Sequence, residues 1–412
     1  MSRFQGLWRN PNFLKLWGGQ SISILGSSVT SLALPTTAIL VLRATPFEVG
    51  LLIALVRVPF PILALFAGAW VDRVRRRPLM IAADLGQLVT LGSIPLAAAF
   101  DVLTLNQLYA VALVTGLFTV IFDVSYLAYL PSLVGRQSIV EGNTKLQFSW
   151  SVTTLAGPGI AGFLVQLVGG ARAIALDAAS FLVSALTLAW IRTPEQQVQP
   201  TGRSGAQDIG EGLKFVFTQP VLRSLVLIIG ASIFGFHAVE SAEYPFLYQQ
   251  LRLTPSTVGL LLSAGGVGAL AGVFMTARLI RVAGVGPAIG WSGFGQGLSV
   301  AALALAVVLP PLPTLIGFIF ISGFLDPLHN VTQQSLRQGL TPDSLQGRMN
   351  ATFRTVYWGA WPIGNLLGGV LANHIGLVET IVIGGAWGAL VHLLVFATPL
   401  RRVREHPTLD HG

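Results

Sequence analysis

Four carboxylates, Asp123, Asp326, Glu240 and Glu243, lie inside runs of apolar residues. Away from water a carboxylate favours its neutral form, so such a group can take up and release a proton near neutral pH. Each is therefore a candidate proton carrier. Glu240 and Glu243, three apart on one helical face, disfavour double ionisation, and their alternative is the polar rim of a vestibule. Asp123 alternatively caps or cross-links helices. Asp326 stands beside the helix-distorting Pro327 and has a structural alternative of the same kind. Asp177 reads as a packing or pairing group, and Asp84 either joins a charged loop network or solvates its own helix end.

Other polar and aromatic residues in the same apolar context point to a ligand. Arg57 needs a counter-charge or a water-filled cavity, and either binds an anion or pairs with a buried acid. Gln20, Ser23 and Ser27 trace one face of a helix and are expected to face a cavity. Phe234, Phe236, Tyr357, Trp358 and Trp361 could wall a site for an amphipathic ligand, or serve as packing and interface anchors. His237 and His329 are either proton relays or hydrogen-bonded structural groups.

The elements that position these residues are membrane helices. The 412 residues are 53% hydrophobic and 10% charged, with a mean hydropathy of +0.70, far from a water-soluble composition. Apolar runs predict spans at 14–42, 49–71, 79–100, 106–131, 146–169, 173–191, 222–248, 257–280, 286–309, 313–335, 351–373 and 378–398. The 46 Gly and 23 Pro suit tightly packed, kinked membrane helices. Of the 25 Lys and Arg, all but Arg43, Arg57, Arg172 and Arg252 fall on one side of this scheme, so that side is cytoplasmic and both termini lie on it. The same distribution explains the net charge of +8 without nucleic acid. With no Cys and six scattered His, thiol, Fe–S and metal chemistry are not expected. The start lacks a signal peptide's cleavage region, so the first span is expected to stay in the mature chain.

The chain repeats. Thr45-Pro46-Phe47-Glu48-Val49-Gly50-Leu51-Leu52 recurs as Thr254-Pro255-Ser256-Thr257-Val258-Gly259-Leu260-Leu261. At nearly the same separation Gly116 meets Gly323, Asp123 meets Asn330, Asn143 meets Asn350 and Gly162 meets Gly369. A duplicated six-helix unit in parallel orientation follows, with Asn330 joining the cavity candidates. Residues 1–191 form the first bundle, 192–220 a linker with a short helix, 221–398 the second bundle and 399–412 a tail. Thr193 to Gln207 reads as linker. Beyond it Ile209, Leu213, Val216 and Phe217 share one face beside Lys214, which predicts a surface helix along the inner leaflet.

Between the second and third spans lies Gly68-Ala69-Trp70-Val71-Asp72-Arg73-Val74-Arg75-Arg76-Arg77. Gly68, Asp72, Arg73, Arg76 and Arg77 match the pattern G-x-x-x-D-R-x-G-R-R, and the chain thereby resembles the major facilitator superfamily. Arg75 replaces the second Gly of that pattern. Gly157-Pro158-Gly159-Ile160-Ala161-Gly162 is similar to the superfamily's antiporter signature, with Thr153 and Ala161 in place of two of its glycines. Residues 13–20, 122–131 and 345–350 resemble the macrolide-efflux and enterobactin-exporter group. The resemblance implies an all-α fold of twelve transmembrane helices in two bundles, and a central cavity lined by the helices of Asp123 and Asp326. It also implies that Gly68, Asp72, Arg73, Arg76 and Arg77 act as a conformational latch, and that Gly157, Pro158 and Gly162 form a pliable kink.

The resemblance further implies efflux of a bulky organic compound against protons, and the alternatives are proton-coupled uptake or a transport-inactive sensor. Gly26 is followed by Ser27 rather than the acid often found there, so coupling must use other groups. No G-x-x-x-x-G-K run is present, so ATP is not the expected direct energy source. A proton crossing 100 mV supplies about 2.3 kcal/mol. The expectation is a monomeric transporter, not an enzyme, in a lipid bilayer of the cell membrane. Its partners would be a small-molecule substrate and protons, without a cofactor.

Overall fold

The computed structural model describes residues 6–63, 74–192 and 205–405, and among these there is no strand. Eleven helices are long and apolar enough to cross a bilayer. They are α1 (Pro11–Leu40), α2 (Pro46–Arg57, resumed to Leu63), α3 (Arg76–Ala99), α4 (Leu105–Val134), α5 (Ile139–Val168), α6 (Gly170–Ala189), α8 (Pro220–Pro245), α9 (Pro255–Ala283), α10 (Val285–Ala302), α11 (Pro311–Gly339) and α13 (Leu377–Ala397). The more polar α12 (Gln346–Ile375) has the length to be the twelfth. The helix α7 (Gly205–Thr218) precedes α8.

Several helices overrun the apolar spans. α5 starts at Ile139 rather than 146, and α12 at Gln346 rather than 351. Hydropathy marks the hydrocarbon layer, whereas backbone hydrogen bonding carries a helix on into water. Within the second span the helix breaks at Val58, because Pro59 supplies no N–H and pushes the residue before it out of the α region.

Duplication is visible in the packing. α1 packs on α5 and α6 as α8 packs on α12 and α13; α3 packs on α4 and α6 as α10 packs on α11 and α13. Gly169 (φ 86°) and Gly376 (φ 109°) make equivalent left-handed turns before α6 and α13. The turn before α10 passes through Gly284 at φ 84°, but its counterpart before α3 is Arg75 at φ −68°. Arg at that place therefore goes with an extended turn rather than a left-handed one.

The repeated Thr-Pro octets are helix starts. Thr45 N and Oγ1 donate to Glu48 Oε2 at 2.7 and 2.9 Å, and Glu48 N donates back to Thr45 Oγ1 at 3.3 Å, a reciprocal capping box. In the second copy Thr257 N donates to Thr254 Oγ1 at 3.4 Å. The chain forms two compact units, and the two segments are exchanged between them. One unit comprises 1–44, 55–202 and 254–260, the other 45–54, 203–253 and 261–412.

In the first unit Gly162 of α5 meets Gly259 of α9: a Cβ on Gly162 would lie 2.9 Å from the Cα of Gly259. In the second unit Gly369 of α12 meets the start of α2, where an added Cβ would lie 2.9 Å from the Cα of Phe47. A Cβ on Gly50 would lie 3.4 Å from the Cα of Gly369. Only helices without side chains at these points approach so closely.

α7 does not simply lie on a surface. Val216 is fully buried in the core of the second unit with Leu222, Leu225, Met349 and Phe353, while Leu213 and Phe217 are exposed. Glu211 pairs with Arg348 of α12 at 2.5 Å. The linker residues 193–204 and the side chain of Ile209 lie outside the described residues.

Candidate functional site

Each unit holds a cavity of its own, with polar side chains in its wall. In the first, α1, α3, α4 and α5 enclose about 1130 Å³. Gln20, Ser23 and Ser27 of α1 line it as their shared face predicts, and Gln20 Nε2 donates to Ser184 Oγ of α6 at 3.4 Å. Asp123 of α4 opens onto the cavity, and the ring of Phe122 stacks on Tyr126 with centroids 6.2 Å apart. Pro158 lies inside α5 and lines the cavity, while Gly157 backs onto Ser28 of α1 and Gly162 sits at the glycine contact described above.

Asp84 reaches the same cavity from α3 and is only 1% exposed. Neither of its oxygens meets hydrogen-bond geometry; the Ser184 hydroxyl is near enough to interact with it but not to bond. An ionised carboxylate so placed costs several kcal/mol. Asp177 differs. Equally buried in α6, it accepts from Ser180 Oγ at 3.1 Å and lies under Gly26 of α1, where an added Cβ would stand 2.6 Å from its Oδ1.

Sequence read Asp84 either as part of the charged loop network or as solvating its own helix end. The signal that separates it from that loop is Gln87, three residues on and also in the cavity wall, so the pair marks a polar face of α3.

The second cavity, about 530 Å³, is lined by α8, α10, α11, α12 and α13. Asp326 Oδ1 accepts from Gln296 Nε2 at 3.3 Å and from Asn330 Nδ2 at 2.9 Å. The bond from α10 to α11 repeats one in the first unit, where Thr119 Oγ1 of α4 donates to Gln87 Oε1 of α3 at 3.2 Å. Phe236, His237, Tyr357 and Trp358 line this cavity. Phe234 does not, because two residues of helix turn it away from Phe236.

Glu240 is a hub rather than a rim group. It accepts from Trp361 Nε1 at 2.8 Å and Asn365 Nδ2 at 3.2 Å, and pairs with His237 Nδ1 at 2.8 Å. His237 in turn stacks on Trp361 with centroids 3.9 Å apart, and Trp358 stacks on Trp361 at 5.4 Å. Glu243 is half-buried and lines neither cavity.

His329 does line the second cavity, and sequence reasoning missed its neighbour. The ring of His392 stands edge-on to it with centroids 4.9 Å apart, and nothing local in the chain links α11 to α13.

Arg57 ends the first segment of α2, half-buried and outside both linings. Gly68, Asp72 and Arg73 lie outside the described residues. Arg76 and Arg77 open α3. Arg76 Nη1 donates to the Ala128 carbonyl at 3.3 Å. Arg77 Nε donates to the Leu188 carbonyl at 2.7 Å and its Nη2 to that of Ala189. Arg77 therefore caps the C-terminus of α6, where the helix dipole favours a cation. Among the described residues no group of three or more His, Asp or Glu could hold a metal ion.

Comparison with known proteins agrees with this architecture. The chain is 26% identical to the multidrug efflux pump Tap of Mycolicibacterium fortuitum, covering 96% of this chain and 97% of that one. It is 23% identical to the enterobactin exporter EntS of Escherichia coli O81, covering 97% and 94%. Among solved structures, a bacterial homologue of the iron transporter ferroportin in an inward-facing state superposes with a TM-score of 0.77 at 17% identity, over 95% of this chain and 99% of that chain. A bacterial homologue of the human lysosomal transporter Spinster gives 0.73 at 14% identity, over 98% and 100%. These likenesses show the twelve-helix fold. Residues 3–410 match the family model described as transmembrane secretion effector, and the chain belongs to that family of the major facilitator superfamily, a multi-pass membrane transporter of the exporter type.

Proposed function

We propose that the protein exports a bulky amphipathic organic compound, such as an antibiotic, drug or secondary metabolite, in exchange for protons by alternating access. Both termini lie in the cytoplasm, a reading supported by the basic residues gathered at one end of the spans. The relatives named as a multidrug efflux pump and an enterobactin exporter support the direction.

The observation that carries the coupling is Asp84. It is buried at a cavity wall without a hydrogen bond, whereas the sequence candidates Glu240 and Asp326 are each held by donors. Asp84 takes the proton, and Asp123, open to the same cavity, passes it to or from water. The first cavity offers hydroxyls and amides. The aromatic wall of Phe236, Tyr357 and Trp358 in the second unit suits the apolar body of an amphipathic ligand. The segment from Gly68 to Arg77 serves as the conformational latch, with Arg76 and Arg77 anchoring its far end to α4 and α6.

The test is substrate-induced proton movement in liposomes, with a panel of macrolides, catechol siderophores and amphipathic cations. Asp84→Asn is expected to abolish proton movement while the same compound still shifts the thermal transition. If Asp84→Asn moves protons as wild type does, Asp84 is not the carrier. If wild type carries a compound without moving protons, antiport is wrong and the protein is a facilitator.

A further inference from the structure

A basic pocket at the end of the second unit is used by none of this. α13 ends at Ala397 and the chain turns through a short 3₁₀ segment, Pro399–Arg402, whose Leu400 is fully buried in the core. The following strand of chain folds back over the turn between α9 and α10. Val285 N donates to the Arg404 carbonyl at 3.2 Å, and Gly286 N to that of Val403 at 2.8 Å. These bonds satisfy the first N–H groups of α10, which has no side-chain cap. The tail residues are thus fixed to the bundle.

The fixed tail presents Arg401, Arg402 and Arg404 around a hollow of about 680 Å³ whose other walls include Trp291 and Phe396. Arg401 Nη1 reaches the Phe396 carbonyl at 3.5 Å and Arg404 Nη1 that of Ala283 at 3.2 Å. No carboxylate among the described residues pairs with any of the three. Glu405, the nearest acid in sequence, is exposed and makes no ion pair among them. Trp291 is 57% exposed, with its ring 5.0 Å from that of Phe396. Charge therefore stands just beyond the spans, with an exposed indole on the span side of it. That order matches a lipid, phosphate outward and acyl chain inward.

We propose that this pocket binds one anionic phospholipid of the adjoining leaflet. Arg401, Arg402 and Arg404 take its phosphate oxygens, and the rings of Trp291 and Phe396 lie along the first part of an acyl chain. The positive-inside distribution makes that leaflet the cytoplasmic one. The site does not depend on what is transported.

The experiment uses the purified full chain in detergent, titrated with phosphatidylglycerol, phosphatidylcholine or inorganic phosphate, and reads bound lipid by native mass spectrometry together with the thermal transition. Phosphatidylglycerol is expected to stay bound and to raise the transition, less so as salt is added. Phosphatidylcholine and inorganic phosphate are expected to do neither. Each Arg removed weakens binding about fivefold, so Arg402→Gln gives about fivefold and the triple change to Gln about a hundredfold. A control triple of the same charge, Lys214→Gln, Arg223→Gln and Arg278→Gln, leaves binding within about twofold of wild type. Equal loss in both triples would mean diffuse surface charge and overturn the proposal. So would equal retention of phosphatidylcholine, or a matching shift from inorganic phosphate, which would make this a free-anion site. Arg402→Gln keeps the test open should the triple not fold.

Discussion

The glycine contacts make a sharp prediction. A Cβ added at Gly259 would stand 2.9 Å from the Cα of Gly162 and 3.1 Å from its N, and closer still to the Pro158 carbonyl. All three neighbours are backbone, so no side chain can swing aside. Forcing a methyl into such a place costs about 1–3 kcal/mol, while Ala in place of Gly returns up to about 1 kcal/mol of helix propensity. Gly259→Ala is therefore expected to be destabilising by up to about 2 kcal/mol. Gly259→Val adds two more carbons with little propensity gain, and its loss should exceed about 3 kcal/mol.

Gly317 and Gly359 have nothing within 4 Å of an added Cβ, so Ala at either should be neutral or mildly stabilising. The assay is thermal unfolding of the purified protein in detergent. Because Gly162 and Gly259 share one contact, Gly162→Ala with Gly259→Ala should lose less than the sum of the two. Gly50→Ala with Gly259→Ala, in separate units, should add. If Gly259→Ala and Gly317→Ala melt together, close helix approach at Gly259 is not what the structure indicates, and the reasoning fails.

Other changes test particular contacts. Trp361→Phe removes one donor from Glu240 but keeps an aromatic ring, and should cost about 1.5–3 kcal/mol in thermal unfolding. Val216→Ala should cost about 1–3 kcal/mol by emptying part of the core under α7, whereas Leu213→Ala, on the exposed face, should stay within about 0.5 kcal/mol. The Glu211–Arg348 pair is short, yet Glu211 is 60% exposed, so solvent screening prevails over distance: Glu211→Gln should cost less than about 1 kcal/mol at moderate salt.

The spans, the repeat and the polar face of α1 were legible in the sequence because each follows from local periodicity or self-similarity. The grouping of Tyr357, Trp358 and Trp361 was legible for the same reason, since residues one, three and four apart on a helix must share a region. Missing were facts that depend on which distant helix lies opposite. Glu240 looked like half of a carboxylate pair because Glu243 is three residues away. Its actual partners, Trp361 and Asn365, come from α12. Asp84 read equally as part of the loop network or as a group solvating its own helix end, because Arg75, Arg76 and Arg77 precede it, but Arg76 and Arg77 turn to helix carbonyls and Asp84 reaches the cavity. The break in α2 was written in Pro59 and hidden by the apolar run around it.

Why the two units look alike at some positions and not at others has a physical answer. Where backbone meets backbone, no side chain fits, so both copies carry glycine: Gly50 and Gly259, Gly162 and Gly369. Where a side chain faces a cavity, no neighbouring backbone limits its size. There the copies part. Aligned through the Thr-Pro octets and the later glycine pairs, Asp84 corresponds to Gly293, which packs on His392. Asp84 has no acidic counterpart in the second unit, whose cavity carries imidazoles and the indole of Trp358 beside Asp326. Even so, the bond between the third and fourth helices of each copy survives with a Gln on one side, Gln87 to Thr119 and Gln296 to Asp326. A hydroxyl in the one copy stands where a carboxylate stands in the other. Asp326 is thus the heir of a structural bond, already occupied by two amides, and Asp84 is the acid with no such tie. If that difference governs coupling, Asp326→Asn should keep substrate-driven proton movement in liposomes while Asp84→Asn loses it; the opposite ranking would put the proton in the second unit.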